Sequence, residues 1–165
     1  MSRTAHKLLN LGLTPHSSVH TPEADLSSPI RTDRRRLRFE EARREESQDG
    51  HDTIVVHLEW AGERHSGEAK GVHTREGELR TSAAATLAAT RAILGDEAPN
   101  LDLLGIKAVR AFDGWVVIAS VALTPDDGKD TVRLLGARTS EDGNLIRASA
   151  VATLDALNRV LERYL

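Results

Sequence analysis

Seven histidines stand at positions 6, 16, 20, 51, 57, 65 and 73, and imidazole is the side chain best suited to hold a transition metal or move a proton near neutral pH. Their spacing matches no HExxH or other ligand pattern. His57 and Glu59 share one face of a strand and His65 is expected across the next turn; solvated polar side chains are the preferred reading there, with a weak metal site as the alternative. The absence of Cys removes thiolate sites, disulfides and Cys nucleophiles. No GxSxG, P-loop or GxGxxG stretch occurs. Ser82 and Ser149 offer hydroxyls, but each lies in an Ala-rich helix with no base near it in sequence, so small residues packing a helix are the better reading than nucleophiles. No catalytic set, metal or cofactor is expected.

Binding chemistry has more to work with. Arg80 and Arg147 stand near two predicted helix starts, where free backbone N–H groups favour a carboxylate or phosphate. Pairing of each arginine with a neighbouring acid, Glu76 or Asp142, is the simpler alternative. Arg34, Arg35, Arg36, Arg38, Arg43 and Arg44 form the one candidate basic patch for nucleic acid. Glu40, Glu41, Glu45 and Glu46 interrupt it, and Phe39 is the only aromatic residue in the run. A solvated charged hairpin is therefore preferred, and nucleic acid is not the expected partner.

The elements that carry these residues come from periodicity. "TIVVHLEW" alternates, with Ile54, Val56, Leu58 and Trp60 on one face, which predicts a half-buried strand. "AGER" reads as a turn and "HSGEAKGVH" as a second strand. Leu79, Ala83, Leu87, Thr90 and Leu94 form a helical stripe, and Gly95 a stop. "LDLLGIKAVRAF", "GWVVIASVAL" and "TVRLLGART" read as three strands parted by "DG" and "TPDDGKD". A last helix carries Ile146, Ala150, Leu154, Leu157 and Leu161, each 67 residues beyond its counterpart in the first.

The offset also aligns Arg80 with Arg147, Ser82 with Ser149, Ala85 with Ala152 and Thr86 with Thr153. An acidic-glycine pair, Glu76-Gly77 or Asp142-Gly143, is expected to precede each helix. The chain thus reads as one unit written twice: an α+β fold of two tandem βββα units with pseudo-twofold symmetry and helices on largely antiparallel strands. The repeat assigns "RRLRFEEARREE" to a strand in unit one, although local propensity leaves a helix over 34–48 open. Unit one is expected over about 34–95 and unit two over about 101–165, together a domain spanning 33–165.

Composition bounds the rest. At 165 residues the chain is of single-domain size, with 39% hydrophobic and only 3% aromatic residues, so Ala, Val, Leu and Ile must build the core. A net charge of -3 exerts no global pull on nucleic acid or anionic lipid. No apolar run is long enough for a membrane span, and "LLNLGL" is too short for a signal peptide core; a cytoplasmic protein without membrane contact is expected. Residues 1–32, rich in Ser, Thr, Pro and His, read as a disordered tail. Within it Leu8, Leu9, Leu11 and Leu13 could form a docking turn for an enzyme or assembly partner, with a frayed end as the preferred reading.

The repeat order and "IRASAVATLDALNRVL", Ile146 to Leu161, resemble the C-terminal regulatory domain of alpha-isopropylmalate synthases, whose closing helix has a similar Ala-Ser pair and Ala-Leu-Asn. The resemblance covers roughly Arg34 to Leu165. It implies a dimerising, end-product-sensing module without the catalytic barrel, hence a homodimer, a small metabolite ligand and no synthase activity. Where that family has a Gly-rich turn before its first helix, this chain has "GVHTREGELR", Gly71 to Arg80. The resemblance carries over Gly71, which joins Arg80, Arg147, Ser82 and Ser149 as candidate ligand-binding residues. The overall expectation is a non-catalytic regulatory or assembly module, with a tail-docked adaptor or an Arg-mediated nucleic-acid binder as alternatives.

Overall fold

The computed structural model describes residues 36–165 apart from 47–48, 112, 127–129 and 141. The stretch 1–32, with Leu8, Leu9, Leu11 and Leu13, lies outside the described residues, as do Arg34 and Arg35. Strands β1 (Arg38–Glu46), β2 (His51–Trp60) and β3 (Glu63–Val72) are followed by helix α1 (Arg75–Leu94). Strands β4 (Asn100–Ala111), β5 (Gly114–Thr124) and β6 (Val132–Ser140) are followed by helix α2 (Leu145–Leu157). Each trio forms its own antiparallel three-stranded sheet in sequence order, so the chain is two βββα units in tandem.

The run that could have been a helix is a strand because it has a partner. Arg38–Glu46 pairs along β2, and its edge position leaves the alternate charged side chains in water. Both first strands carry a bulge, between Phe39 and Glu41 in β1 and between Leu103 and Gly105 in β4. The repeat thus extends to an irregularity that periodicity does not show. Ala61 and Gly62 both have positive φ, as a two-residue hairpin between β2 and β3 requires.

Helix boundaries depart from the sequence expectation. α1 begins at Arg75, with Thr74 as its cap, so Glu76-Gly77 lies in the first turn instead of preceding the helix. Asp142-Gly143 does precede α2, whose cap is Asn144. α2 ends at Leu157, and Leu161 is buried from a short 3-10 turn, not from the helix. Asn158 explains the stop: its side chain accepts from the Leu37 N–H and donates to the Leu37 carbonyl, both at 3.1 Å. This amide ties the end of unit two to the entrance of unit one.

One core joins the units. Ile54, Val56 and Leu58 of β2, Leu101 of β4, Val121 and Leu123 of β5 and Leu154 and Leu157 of α2 are buried in a single cluster. Helix α1 lies on β2 and β3 and reaches β4, while α2 lies on β5 and β6 and reaches β1. Ala-rich helices can sit this close because a glycine lies beneath each. A Cβ on Gly67 would collide with the backbone of Ala85 and Ala89, and one on Gly136 with the backbone of Ala152 and Ala156. Gly67 pairs with Val56 and Gly136 with Ala119, so the two glycines occupy equivalent places in the third strand of each unit.

Candidate functional site

The residues singled out for nucleophilic or ligand chemistry divide between core and surface. Ser82 and Ser149 are fully buried where α1 and α2 meet. The Ser82 hydroxyl donates to the Ile146 carbonyl at 2.8 Å, and the Ser149 hydroxyl donates to the Leu79 carbonyl at 2.7 Å. The bonds are reciprocal under the pseudo-twofold, so each serine fastens its helix to the first turns of the other. Thr86, Thr90 and Thr153 are also buried, each donating to a carbonyl one turn earlier.

Arg80 and Arg147 are exposed and belong to separate places. Arg80 sits in the second turn of α1, away from the free N–H groups of the helix start, beside Leu104, Ile106, Lys107 and Ile118. Arg147 lies with its guanidinium 5.9 Å from the Phe39 ring centroid, and its backbone N–H is spent on the Asn144 side chain. Neither arginine makes an ion pair with Glu76 or Asp142 among the described residues. Gly71 is a packing position: a Cβ there would strike the Thr81 hydroxyl. The five predicted ligand residues therefore do not converge on one pocket.

His57 and His65 also part company. His57 pairs with Ser66 and His65 with Leu58, which sets the two rings on opposite faces of the sheet. The described arginines of β1 are mostly matched by acids, Arg38 with Glu59 at 3.7 Å, Arg43 with Glu41 at 2.8 Å and Arg44 with Glu46 at 2.7 Å.

A polar cluster that periodicity did not flag lies at the start of α1. Asp52, at the beginning of β2, is only 2% exposed. His73, in the turn after β3, brings Nδ1 to 2.8 Å from Asp52 Oδ2, and this carboxylate raises the His73 pKa above its ordinary value. The contact is close enough for a hydrogen bond to act on His73 together with the opposite charge, but its angle is poor and leaves Asp52 Oδ2 without a well-aligned donor. Glu78, in the first turn of α1, receives the Arg44 guanidinium at 2.6 Å, and Arg44 Nε lies 4.0 Å from Asp52 Oδ2. The donor atoms of Asp52, His73 and Glu78 all fall within 4.8 Å of one another.

Arg44 and Glu78 also line a polar cleft of about 520 Å³, completed by Arg75 and by Gly143 to Ile146 at the start of α2. Two helix beginnings and two guanidinium groups border this cleft, with the Glu78 carboxylate held by Arg44 at 2.6 Å among them. Arg75 is oriented by the Trp115 ring, whose centroid is 4.6 Å from its guanidinium carbon. The sequence signal for the cleft lay in the capping residues Thr74 and Asn144, read together with Arg44 from a distant strand.

The outer faces of the two sheets differ in kind. On the first, Val55 lies between Arg43 and Glu68, His57 between Glu41 and Ser66, and Glu59 between Arg38 and Arg64. On the second, Ile118 lies between Lys107 and Ala137, Val116 between Val109 and Thr139, and Ser120 between Gly105 and Leu135. Leu104, Val109, Ile118 and Leu135 are 40–56% exposed, and Leu104, Val109 and Ile118 border a shallow trough of about 410 Å³ with Arg80 on its rim. No helix among the described residues is long and apolar enough to cross a membrane. No protein-family model and no curated protein matches this chain.

Proposed function

We propose that the chain is a non-catalytic regulatory or assembly module that pairs with a second copy of itself and senses a small anionic metabolite. The observation that carries the reading is the single apolar sheet face in a fold otherwise written twice. A contiguous exposed apolar surface marks an interaction site, and one such sheet face among the described residues suits a twofold dimer, in which the same patch serves both partners. The edge of the face carries an acid, Asp102, and bases, Lys107 and Arg133, so a second copy turned through a half-rotation meets charge of either sign. The Arg44 and Arg75 cleft is the ligand site of this reading, with a carboxylate as the group bound. Resemblance to the alpha-isopropylmalate synthase regulatory domain favours branched-chain amino acids or their keto-acid precursors.

Light scattering across protein concentration, with and without that metabolite pool, tests both halves. A dimer is expected, converted to monomer by Leu135→Glu or Ile118→Lys with the fold intact by circular dichroism. A monomeric wild type, or a dimer indifferent to both substitutions, overturns self-association through this face. Metabolite sensing requires a mass or Tm shift that Arg75→Ala removes, and its absence across the pool overturns that half.

A further inference from the structure

We propose that Asp52, His73 and Glu78 form a site for one divalent transition-metal ion of the zinc class. The three come from the start of β2, the turn after β3 and the first turn of α1, so the fold brings them together and no local sequence spacing does. Their donor atoms lie within 4.8 Å of one another, near the separation of roughly 3.3 Å that metal–ligand bonds of about 2.0–2.2 Å impose in a tetrahedral site. His73 Nδ1, now 2.8 Å from Asp52 Oδ2, opens slightly and Glu78 closes to reach that geometry, both being on the outer side of the cluster.

Burial supplies the second, independent reason. Asp52 is 2% exposed and its Oδ2 has no hydrogen-bond partner of acceptable geometry; a buried carboxylate oxygen left in this way costs free energy unless a cation meets it. Its nearest neighbours are His73 Nδ1 at 2.8 Å, an ion pair that a metal held by both groups replaces with the imidazole proton released, and Arg44 at 4.0 Å, itself committed at 2.6 and 2.7 Å to Glu78 and Glu46. The hold of Arg44 on one oxygen of Glu78 leaves that carboxylate lone pairs for a metal and fixes its direction, as a partner that orients a ligand does.

The donor set selects the metal class. One imidazole nitrogen with two carboxylates suits zinc, cobalt or manganese, whereas calcium calls for six to eight oxygens. Three protein ligands leave a fourth position for water or an added donor. Glu78 is shared with the wall of the Arg44 and Arg75 cleft. The site stands whether or not the chain dimerises or senses a metabolite.

The experiment is a titration of the chelator-treated full chain with Co²⁺, read by visible absorption, followed by displacement with Zn²⁺. The expected result is a saturable band at one ion per chain. His73→Ala and Glu78→Gln, at surface-accessible positions, should each weaken binding by more than the roughly 10–100-fold that loss of a merely orienting partner causes. His65→Ala, on the inner face of β3, should leave it unchanged. No saturable band, or a band that survives both His73→Ala and Glu78→Gln, overturns the proposal. The second result would assign the ion to other ligands, His6, His16 and His20 among them.

Discussion

Removing the two reciprocal serine hydroxyls tests whether the pseudo-twofold is held by specific bonds or by apolar packing alone. In Ser82→Ala the Ile146 carbonyl loses a 2.8 Å donor, and in Ser149→Ala the Leu79 carbonyl loses one at 2.7 Å. Both carbonyls lie inside helices and keep their own helical N–H donors, so neither becomes an orphan. The cost is therefore the net value of a buried hydrogen bond, about 1 kcal/mol each, and not the ~1–3 kcal/mol of an abandoned polar group. The missing oxygen leaves a void smaller than a methyl group, which adds little. Independent bonds would cost the double variant about 2 kcal/mol, and because both brace one crossing the double loss should depart from the sum of the single losses by ~0.5 kcal/mol or more. Urea denaturation followed by circular dichroism measures this through the midpoint at unchanged m-value. If either single variant is neutral, the hydroxyls do not hold the crossing. If the two losses differ by more than ~1 kcal/mol, the pseudo-twofold equivalence is geometric without being energetic.

Other consequences follow from the same packing. Gly136→Ala should cost ~3 kcal/mol, the upper end of overpacking, since its Cβ meets helix backbone and no side chain can yield, and Gly67→Ala should match it in thermal unfolding; a loss below ~1 kcal/mol in either would mean the helices are not seated on the glycines. Asn158→Ala removes both bonds to Leu37 and should cost about 2 kcal/mol, accompanied by faster amide exchange at Leu37; unchanged exchange there refutes the tie. Asp155 has its pKa raised, first by burial and against the pull of Arg138, Arg159 and Arg36. The native state then holds more protons than the unfolded chain above the ordinary aspartate range, so stability falls as pH rises through the native pKa. Asp155→Asn should abolish that slope and exceed the wild type in stability near neutrality, and a less stable variant would show that the arginines outweigh desolvation.

The repeat was legible because packing rewrites the same residues. The stripe Leu79, Ala83, Leu87, Thr90 is buried in α1, as Ala150, Leu154 and Leu157 are in α2, and a stripe at helical spacing is visible in any window of the chain. It also assigned Arg38–Glu46 to a strand against its own charge-rich composition. Helix ends were less visible, since Thr74 and Asn144 are identified as caps only by the backbone around them. The cluster of Asp52, His73 and Glu78 could not be found from spacing. Its members follow strand register, a turn and a helix start, and only the pairing of β2 with β3 brings Asp52 opposite Gly71, two positions before His73. The serines were legible as packing residues but not as donors, because a hydroxyl's partner across a helix crossing has no signature in either helix alone.

The two units are alike where packing constrains them and unlike elsewhere, and the differences have a direction. Register makes Trp115 the equivalent of Asp52, and the helix offset makes Leu145 the equivalent of Glu78, so both carboxylates of the unit-one cluster have apolar counterparts in unit two. The outer faces differ in the same sense, charged on the first sheet and apolar on the second. Two charged faces would leave a duplicated domain with no adhesive sheet surface, while two apolar faces would give each chain two adhesive surfaces and allow open-ended association. A single apolar face is consumed when two chains meet through it, which closes the assembly at a pair. In the proposed dimer, the polar cluster and the charged face of unit one stay accessible while the apolar face of unit two is covered. On the proposed reading, association and polar binding fall to different halves of a duplicated fold.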